Sequence, residues 1–269
     1  MPTYLDKILA AHREAARVDR RDPARLAAEA GSCPATRGFG AALKARPEVA
    51  VIAEIKRRSP SKGALAPDLD PAVLAKTYAG SGAACLSVLT DAEFFSGSAD
   101  DLAQARAAVD LPVLRKDFTV SPADVCDARL MGADAVLVIV AALSATELAE
   151  LLGTARGLGL DALVEVHDEA EAAVALAAGA TLIGVNQRDL VTFEVDARRA
   201  ARVAGSLPGH VVRVAESGVR NRDDVLRLAD AGFDAVLVGE ALVTAPDPGA
   251  ALAALTAVEA SAVEASRCC

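Results

Sequence analysis

Short apolar segments recur along the chain, and stretches with helical spacing separate them. Each segment is a nearly continuous run of small and branched apolar residues, as in strands covered on both faces of a parallel sheet. The separating stretches, such as ADDLAQARAAV (99–109) and RDDVLRLADAG (222–232), have the composition of helices. We therefore predict eight strands, at 49–57, 84–91, 111–118, 135–143, 161–168, 181–189, 211–219 and 235–243.

The alternation of strands and helices predicts the α/β class. Eight repeats favour a closed (β/α)8 TIM barrel of parallel strands. A doubly wound open sheet is the alternative, and it usually carries a glycine-rich dinucleotide loop after its first strand. The chain has RRSPSKG (57–63) at that position, which lacks this pattern.

The residues outside the repeats predict additions to one domain. No break in composition marks a second domain, so we predict that residues 1–269 form a single barrel domain. Residues 1–48 are too many for a loop, and we predict a helical extension in which YLDKILAAHREAARVDRR and GFGAALKAR form helices that pack on the barrel. Residues 257–269, with AVEAS twice in succession, are predicted to be a frayed extension of the last helix.

The composition limits which classes of partner and which cellular location are expected for this protein. The formal net charge is −9 at pH 7, which argues against nucleic acid or an anionic membrane as the main partner. The N-terminal segment lacks the apolar run of a signal peptide, and we predict a cytoplasmic protein. The five cysteines form no Cys-x-x-Cys pair and the three histidines have no metal-ligand spacing, so we expect reduced thiols and no metal site.

Polar residues cluster at one end of the predicted strands. In barrels of this type the active site lies at the carboxyl ends of the strands. Because side chains alternate along a strand, Glu54 and Lys56 share a face with Ile52, whereas Ala53 and Ile55 point toward the helices. The same argument directs a set of charged and amide groups into the barrel mouth, namely Glu54, Lys56, Lys116, Glu165, Asn186 and Glu216, with Arg188 and Ser217 beside them.

Two interpretations of this cluster compete. Salt bridges could close the top of the barrel, but buried ion pairs are weak stabilisers because desolvation offsets most of the Coulomb energy. Six polar groups at the same end of five strands therefore favour a catalytic or binding site. A phosphate site is predicted near Gly218 and Gly239, which follow the last two strands. Ser59, with Lys56 or Lys62 from the mobile loop predicted at RRSPSKG, would supply the remaining donors.

These residues also carry a resemblance to a known family. The segments EIKRRSPSKG, SVLTDAEFFSGS, VLRKDF, LVEVHDE, IGVNQRDL, VAESGV and LVGEAL follow in the order and spacing seen in indole-3-glycerol phosphate synthases of tryptophan biosynthesis. The resemblance runs from about residue 4 to about residue 255. Arg58 stands where the family often has a smaller residue, and Gln187 occupies a variable position. No phosphoribosylanthranilate isomerase domain follows, which implies the monofunctional form.

The resemblance implies a reaction and its catalytic residues. Members of this family close a ring on the ketone of 1-(2-carboxyphenylamino)-1-deoxyribulose 5-phosphate and then lose carbon dioxide and water. By resemblance Lys116 is the general acid, and Glu54 and Glu165 stabilise the positive charge that develops on nitrogen. Lys56 and Glu165 are the candidates for acid and base in the dehydration. No cofactor is implied.

The resemblance also implies how the substrate is bound. Asn186 and Glu216 would hold its hydroxyls with support from Ser217, and Arg188 matches the residue near its carboxylate. The other implied binding residues are Phe95 and Phe118 in the anthranilate pocket, and Ser59, Gly218, Gly239 and Glu240. Ordinary packing is an alternative role for the two phenylalanines. The implied partner is a small phosphorylated substrate, and we expect a monomer or a weak homodimer.

Several polar residues have structural interpretations instead. We assign no catalytic role to His167, and we predict that Asp168 caps a helix. Asp117 and Asp189 are expected to anchor loops through salt bridges, and Cys85 to be a small buried side chain. A Schiff-base aldolase, a phosphosugar isomerase and a barrel that only binds a phosphorylated ligand remain the rival functions.

Overall fold

The chain folds into a closed barrel of eight parallel strands, in a computed structural model that describes residues 3–189 and 191–257. The bounds of the strands are β1 Ala50–Ile55, β2 Arg58–Ser59, β3 Gly63–Ala64, β4 Cys85–Leu89, β5 Val113–Lys116, β6 Ala135–Ile139, β7 Asp161–Val166, β8 Leu182–Asn186, β9 Val212–Glu216 and β10 Ala235–Val238. Going round the barrel, the order is β1-β10-β9-β8-β7-β6-β5-β4, while β2 and β3 form a separate two-stranded hairpin. The predicted (β/α)8 barrel is confirmed, and each barrel strand lies within a predicted segment.

Helices surround the barrel and connect its strands. Their bounds are α1 Tyr4–Val18, α2 Pro23–Gly31, α3 Phe39–Lys44, α4 Pro71–Gly80, α5 Ala92–Phe95, α6 Ala99–Ala108, α7 Pro122–Leu130, α8 Ala145–Gly157, α9 Glu169–Ala177, α10 Arg199–Ala204, α11 Arg222–Asp230, α12 Glu240–Val243 and α13 Pro248–Thr256, with a 3-10 turn at Val140–Ala142. Asp168 caps α9 as predicted, because its side chain accepts a hydrogen bond from the backbone of Glu171. No helix among the described residues is both long and apolar enough to cross a membrane.

The alternation of side chains along β1 follows the prediction. Ala53 and Ile55 pack in the layer between the strands and the helices, whereas Ile52 belongs to the core inside the barrel. On β5 and β7 the same rule places Leu114 and Leu163 inside. The polar residues two positions further along these strands therefore stand above an apolar floor.

The helical extension closes both ends of the barrel. The helix α3 lies at the amino ends of the strands, hereafter the base, where Phe39 and Leu43 are buried against the first residues of several strands. The helix α1 lies over the carboxyl ends, hereafter the mouth. Between them α2, which the sequence reading omitted, packs Leu26 and Ala30 against Cys126 of α7.

Within RRSPSKG the chain forms the hairpin of β2 and β3, with Arg58 paired to Ala64 and Ser59 to Gly63. The loop is therefore folded into a short turn over the barrel mouth. The predicted frayed tail at 257–269 lies, apart from residue 257, outside the described residues.

Candidate active site

A cavity of about 760 Å³ opens at the mouth of the barrel. The structure brings all the predicted site residues to its lining: Glu54, Lys56, Ser59, Phe95, Lys116, Phe118, Glu165, Asn186, Arg188, Glu216, Ser217, Gly218, Gly239 and Glu240. They come from seven barrel strands and the loops that follow, so only closure of the barrel makes them neighbours. The volume suits a ligand of several hundred daltons.

Lys116 is the centre of the charged cluster. Its Nζ lies 3.4 Å from Glu165 Oε2 and 3.5 Å from Glu216 Oε2. Burial opposes the positive charge of Lys116, yet the charges of Glu216 and Glu165 outweigh this and raise the pKa of the ammonium group. Lys116 is therefore protonated at neutral pH and has a proton to donate.

The two carboxyl groups beside Lys116 differ in their ionisation. Burial raises the pKa of Glu216 to about 8, because the attraction of Lys116 is offset by repulsion from Glu165. Burial acts on Glu165 as well, but the charges of Lys116 and His167 hold its pKa below the ordinary value. Asn186 also donates a hydrogen bond of 3.0 Å to Glu165 Oε1. Glu216 is therefore the weaker acid of the two carboxyl groups beside Lys116.

Glu54 and Lys56 form a second acid–base pair. Lys56 Nζ contacts Glu54 Oε1 directly, and only 5% of the Glu54 side chain is exposed. Gly239 leaves the room for this carboxylate, because a Cβ at that position would lie 2.2 Å from Glu54 Oε1. The end of β10 therefore needs a glycine for Glu54 to occupy the mouth.

The predicted anion site lies where the chain leaves β9. Ser217 and Gly218 both have positive φ, at 65° and 79°. A Cβ on Gly218 would lie 2.7 Å from Val195 Cγ1, so a larger residue has no room there. Turns can form anion-binding concavities from successive backbone N–H groups. A strained non-glycine residue such as Ser217 is also typical of functional sites.

Two cationic side chains of the cavity lining lie near Glu240. Glu240 Oε2 lies 3.6 Å from Arg188 Nη2, and Glu240 Oε1 lies 3.9 Å from Lys62 Nζ. Arg188 also donates a hydrogen bond of 3.1 Å to the carbonyl of Phe193. Ser59 Oγ is buried there and has no hydrogen-bond partner among the described residues. The Ser59 hydroxyl can therefore donate to a ligand, whereas Arg188 and Lys62 already face the Glu240 carboxylate.

An aromatic wall forms another part of the cavity lining. The ring centroids of Phe95 and Phe118 lie 6.1 Å apart. The imidazole centroid of His12, on α1, lies 5.5 Å from the ring centroid of Phe118. Tyr4 also lines the cavity and makes an edge contact with Phe193. The wall can receive a flat apolar ring.

The side chains that α1 adds to the site were not predicted from the sequence. Tyr4, Leu5 and Ile8 line the cavity, although α1 was expected only to pack on the barrel. The spacing of Leu5 and Ile8 marks one face of a helix, but an amphipathic face does not say what it covers. Arg220, after the predicted anion site, also lines the cavity and was not singled out.

The structure agrees with the structural roles predicted for Asp117, Asp189 and Cys85. Asp117 forms a buried ion pair with Arg115 at 3.0 Å, and Asp189 lies 3.7 Å from Arg199. Burial raises the pKa of the Cys85 thiol, which keeps it neutral. His12, by contrast, reaches two acids that are distant in sequence: its Nε2 lies 2.9 Å from Asp91 and 3.8 Å from Asp117.

Comparison with known proteins matches residues 5–255 to the family described as indole-3-glycerol phosphate synthase. The match spans both the extension that covers the mouth and the strands that carry the charged cluster. The chain belongs to the indole-3-glycerol phosphate synthase family.

Individual relatives agree with this family assignment. A protein of Mycobacteroides abscessus named indole-3-glycerol phosphate synthase is 54% identical over 255 residues, covering 94% of this chain and 93% of the relative. One of Streptomyces coelicolor, named indole-3-glycerol phosphate synthase 2, is 53% identical over 235 residues, covering 87% and 91%. The resemblance found in the sequence segments is confirmed.

Distant solved structures share the fold. Thiamine phosphate pyrophosphorylase of Pyrococcus furiosus superposes with a TM-score of 0.59 at 17% identity, over 77% of this chain and 93% of that one. N-acetylmannosamine-6-phosphate 2-epimerase of Clostridium perfringens has a TM-score of 0.59 at 12% identity, over 75% and 89%. At these identities the likeness concerns the barrel alone.

Proposed function

We propose that the protein is an indole-3-glycerol phosphate synthase, which converts 1-(2-carboxyphenylamino)-1-deoxyribulose 5-phosphate into indole-3-glycerol phosphate, carbon dioxide and water in tryptophan biosynthesis. The observation that carries the proposal is the protonated Lys116 held between Glu165 and Glu216 at the centre of a mouth cavity. Family membership indicates the substrate, and Lys116 of this cluster is the acid that the reaction requires.

Ring closure requires a proton for the ketone oxygen as carbon attacks it. Lys116 is the proposed general acid, because the neighbouring carboxyl groups keep it charged and oriented into the cavity. The nitrogen becomes positively charged in the same step. Glu165 and Glu54 are proposed to stabilise that charge, and the lowered pKa of Glu165 keeps it anionic for this purpose.

Dehydration requires an acid at the departing hydroxyl and a base at the adjacent proton. Lys56 and Glu165 are the proposed pair; Lys56 follows β1, and Glu165 lies on β7, across the barrel. Glu216 has a raised pKa, and in its protonated form it can donate a hydrogen bond to a substrate hydroxyl. Asn186 is the proposed partner of a second hydroxyl.

The substrate has two anionic groups at opposite ends. We assign the phosphate to the backbone of Gly218 and Gly239, with Ser59 as a further donor, and the carboxylate to Arg188. The anthranilate ring would stack on the wall of Phe95 and Phe118. Binding of the carboxylate must stay moderate, since it leaves as neutral carbon dioxide.

The proposal extends to the setting of the reaction. We place the enzyme in the cytoplasm, as one barrel domain with a helical extension, in a monomer or weak homodimer. The free cysteines among the described residues, Cys33, Cys85 and Cys126, agree with a reducing compartment.

The first test adds the carboxyphenylamino-deoxyribulose phosphate to purified protein and follows indole fluorescence. The chain has no Trp and two Tyr, so product emission rises from a dark background. We expect Lys116→Ala to lower kcat by about 10²–10⁴-fold, the usual contribution of a general acid. Lys44→Ala, at an exposed lysine of the base, is the control and should retain full activity.

The rival functions predict other outcomes. An aldolase would form a borohydride-trapped adduct with a ketose phosphate, because its lysine becomes a Schiff base. An isomerase or a binding protein would bind the phosphorylated substrate without producing indole. If the protein bound the substrate but produced no indole fluorescence, the synthase proposal would be refuted. The proposed phosphate site would still stand.

A further inference from the structure

His167 follows β7 and lies beside the catalytic cluster, although the reaction as proposed above gives it no role. Its side chain is 13% exposed, and its Nε2 faces Glu165 Oε1 at 3.6 Å. This nitrogen is buried and has no hydrogen-bond partner among the described residues. Buried polar atoms are normally hydrogen-bonded, so an unpartnered imidazole nitrogen beside a proposed catalytic carboxylate indicates a functional role.

The other ring nitrogen determines the protonation state. His167 Nδ1 lies 3.0 Å from Glu171 Oε2, and the same oxygen accepts a hydrogen bond of 2.7 Å from the backbone N–H of His167. An ionised carboxylate only accepts, so Nδ1 must carry a proton. A neutral ring would then direct the lone pair of Nε2 at Glu165, which is repulsive. Only the imidazolium, with a proton on both nitrogens, suits both neighbours.

We propose that His167 is a positioning residue for Glu165: Glu171 holds its ring as an imidazolium, and the Nε2–H group keeps the Glu165 carboxylate ionised and turned toward Lys116. The inference rests on the proposed function, in which Glu165 must be anionic. Glu165 Oε1 then faces His167 and Asn186, while its Oε2 faces Lys116.

The charges around His167 agree with this arrangement. Glu165 faces the ring from β7, Glu171 from α9 and Arg199 from α10. Burial and Arg199 both favour the neutral ring, but the hydrogen bond to Glu171 and the charge of Glu165 outweigh them and raise the pKa of His167. Arg199 is itself directed to Asp189, at 3.7 Å, and to the carbonyl of Asn186, at 3.2 Å.

The ionisation can be measured without any substrate. The chain has three histidines, so an NMR titration of the imidazole carbons resolves each, and His167→Gln identifies the signal of His167. We expect the pKa of His167 to lie above its ordinary value of 6.5 and to fall in Glu171→Gln. A pKa below 6.5, or no change in Glu171→Gln, would overturn the proposal.

The consequence for Glu165 is tested by kinetics. His167→Gln removes the positive charge, so the pKa of Glu165 rises and the acidic limb of kcat/KM should move upward by about one pH unit, with kcat affected more than KM. Glu171→Gln should move the limb in the same direction by less, and it serves as the second variant if His167→Gln folds poorly. His210→Gln, at an exposed histidine of the base, is the control.

An acidic limb unchanged in both variants would overturn the positioning role, because a ring that only fills space would not alter a pH profile. The proposed function fails separately, if the wild-type protein forms no indole. The NMR titration then still decides whether Glu171 holds His167 as an imidazolium.

Discussion

Buried carboxyl groups occur at both ends of this barrel, but their hydrogen-bonding needs are satisfied in different ways. At the base, Asp134 is fully buried, and its carboxylate accepts backbone hydrogen bonds from Arg37, at 2.7 Å, and Val113, at 2.8 Å, and contacts Arg106. At the mouth, Glu216 Oε1 is buried without any hydrogen-bond partner among the described residues.

The helical extension contributes to both ends and shows the same contrast. At the base, Gly40 of α3 donates a backbone hydrogen bond of 2.9 Å to Asp161, which adds to a closed network. At the mouth, Tyr4 and Ile8 of α1 line a cavity and leave the charged groups below them open to a ligand. A carboxyl group with all its hydrogen bonds made joins parts of the chain, whereas one with an unpartnered oxygen is ready to bind substrate. The hydrogen bonds of a buried charge thus separate a structural role from a catalytic one.

The largest expected effect is on stability, at the base. Asp134→Ala leaves Arg106 and two backbone N–H groups without their acceptor, so we expect the free energy of unfolding to fall by about 3–5 kcal/mol. Chemical denaturation measures this loss. Asp234→Ala is a matched control, because Asp234 also precedes a strand and accepts a backbone hydrogen bond from Arg213, of 2.7 Å, but is exposed. Equal losses in the two variants would contradict the role given to burial.

The second largest effect is expected from a glycine-to-alanine substitution, made once at each end of the barrel. In Gly239→Ala the new methyl group collides with Glu54, and displacement of this carboxylate should lower kcat/KM by about 10²-fold. In Gly40→Ala the nearest atom, Asp161 Oδ1, is 3.7 Å from the new carbon, which is an ordinary contact, so activity should remain. Indole fluorescence compares the two. Full activity of Gly239→Ala would show that the position of Glu54 is not critical.

The third prediction concerns pH. The folded-state pKa of Glu216, about 8, exceeds its ordinary value of 4.5, so its contribution to stability is complete below pH 4.5 and is lost as the pH rises through about 8. Glu216→Gln should remove this loss and be more stable than the wild type at pH 9 by at least about 1.4 kcal/mol, the equivalent of one pKa unit.

In Glu165→Gln the pH dependence of stability should change in the opposite direction. The pKa of Glu165 is depressed, so its contribution is present above its ordinary value and is lost as the pH falls through the lowered one. Denaturation curves that extend from pH 9 to well below pH 4 would reveal both trends. If the two variants changed the pH dependence of stability in the same direction, the different ionisation of the two carboxyl groups would be disproved.

The smallest effect is expected where α1 is attached to the barrel. His12 Nε2 lies 2.9 Å from Asp91, and His12→Gln should cost about 0.5–1.5 kcal/mol and raise KM, because α1 lines the cavity. Burial opposes protonation of His12, but Asp91 and Asp117 raise its pKa, so the contribution is complete below pH 6.5 and is lost as the pH rises through the raised pKa. An unchanged KM would show that α1 does not need this anchor. His210→Gln is again the control.

Local patterns were sufficient for the strands and their faces. The side-chain alternation on β1 predicted that Glu54 and Lys56 point inward with Ile52, since a strand has a period of two whatever surrounds it. Sequence patterns were weaker for α2 and for the hairpin at Arg58–Ala64, because such short elements depend on what packs against them. The tail after residue 257 is not described, so that prediction remains open.

The sequence by itself determined the barrel, the end of it that carries the charges, and the family. These follow from periodicity and from ordered segments, which are local properties of the chain. Only the tertiary structure decided which carboxylates share Lys116, which residues of α1 cover the mouth, and that His167 faces Glu165. Ionisation depends on distance and burial between residues far apart in sequence, from Lys116 on β5 to Glu216 on β9, and closure of the barrel alone creates those distances.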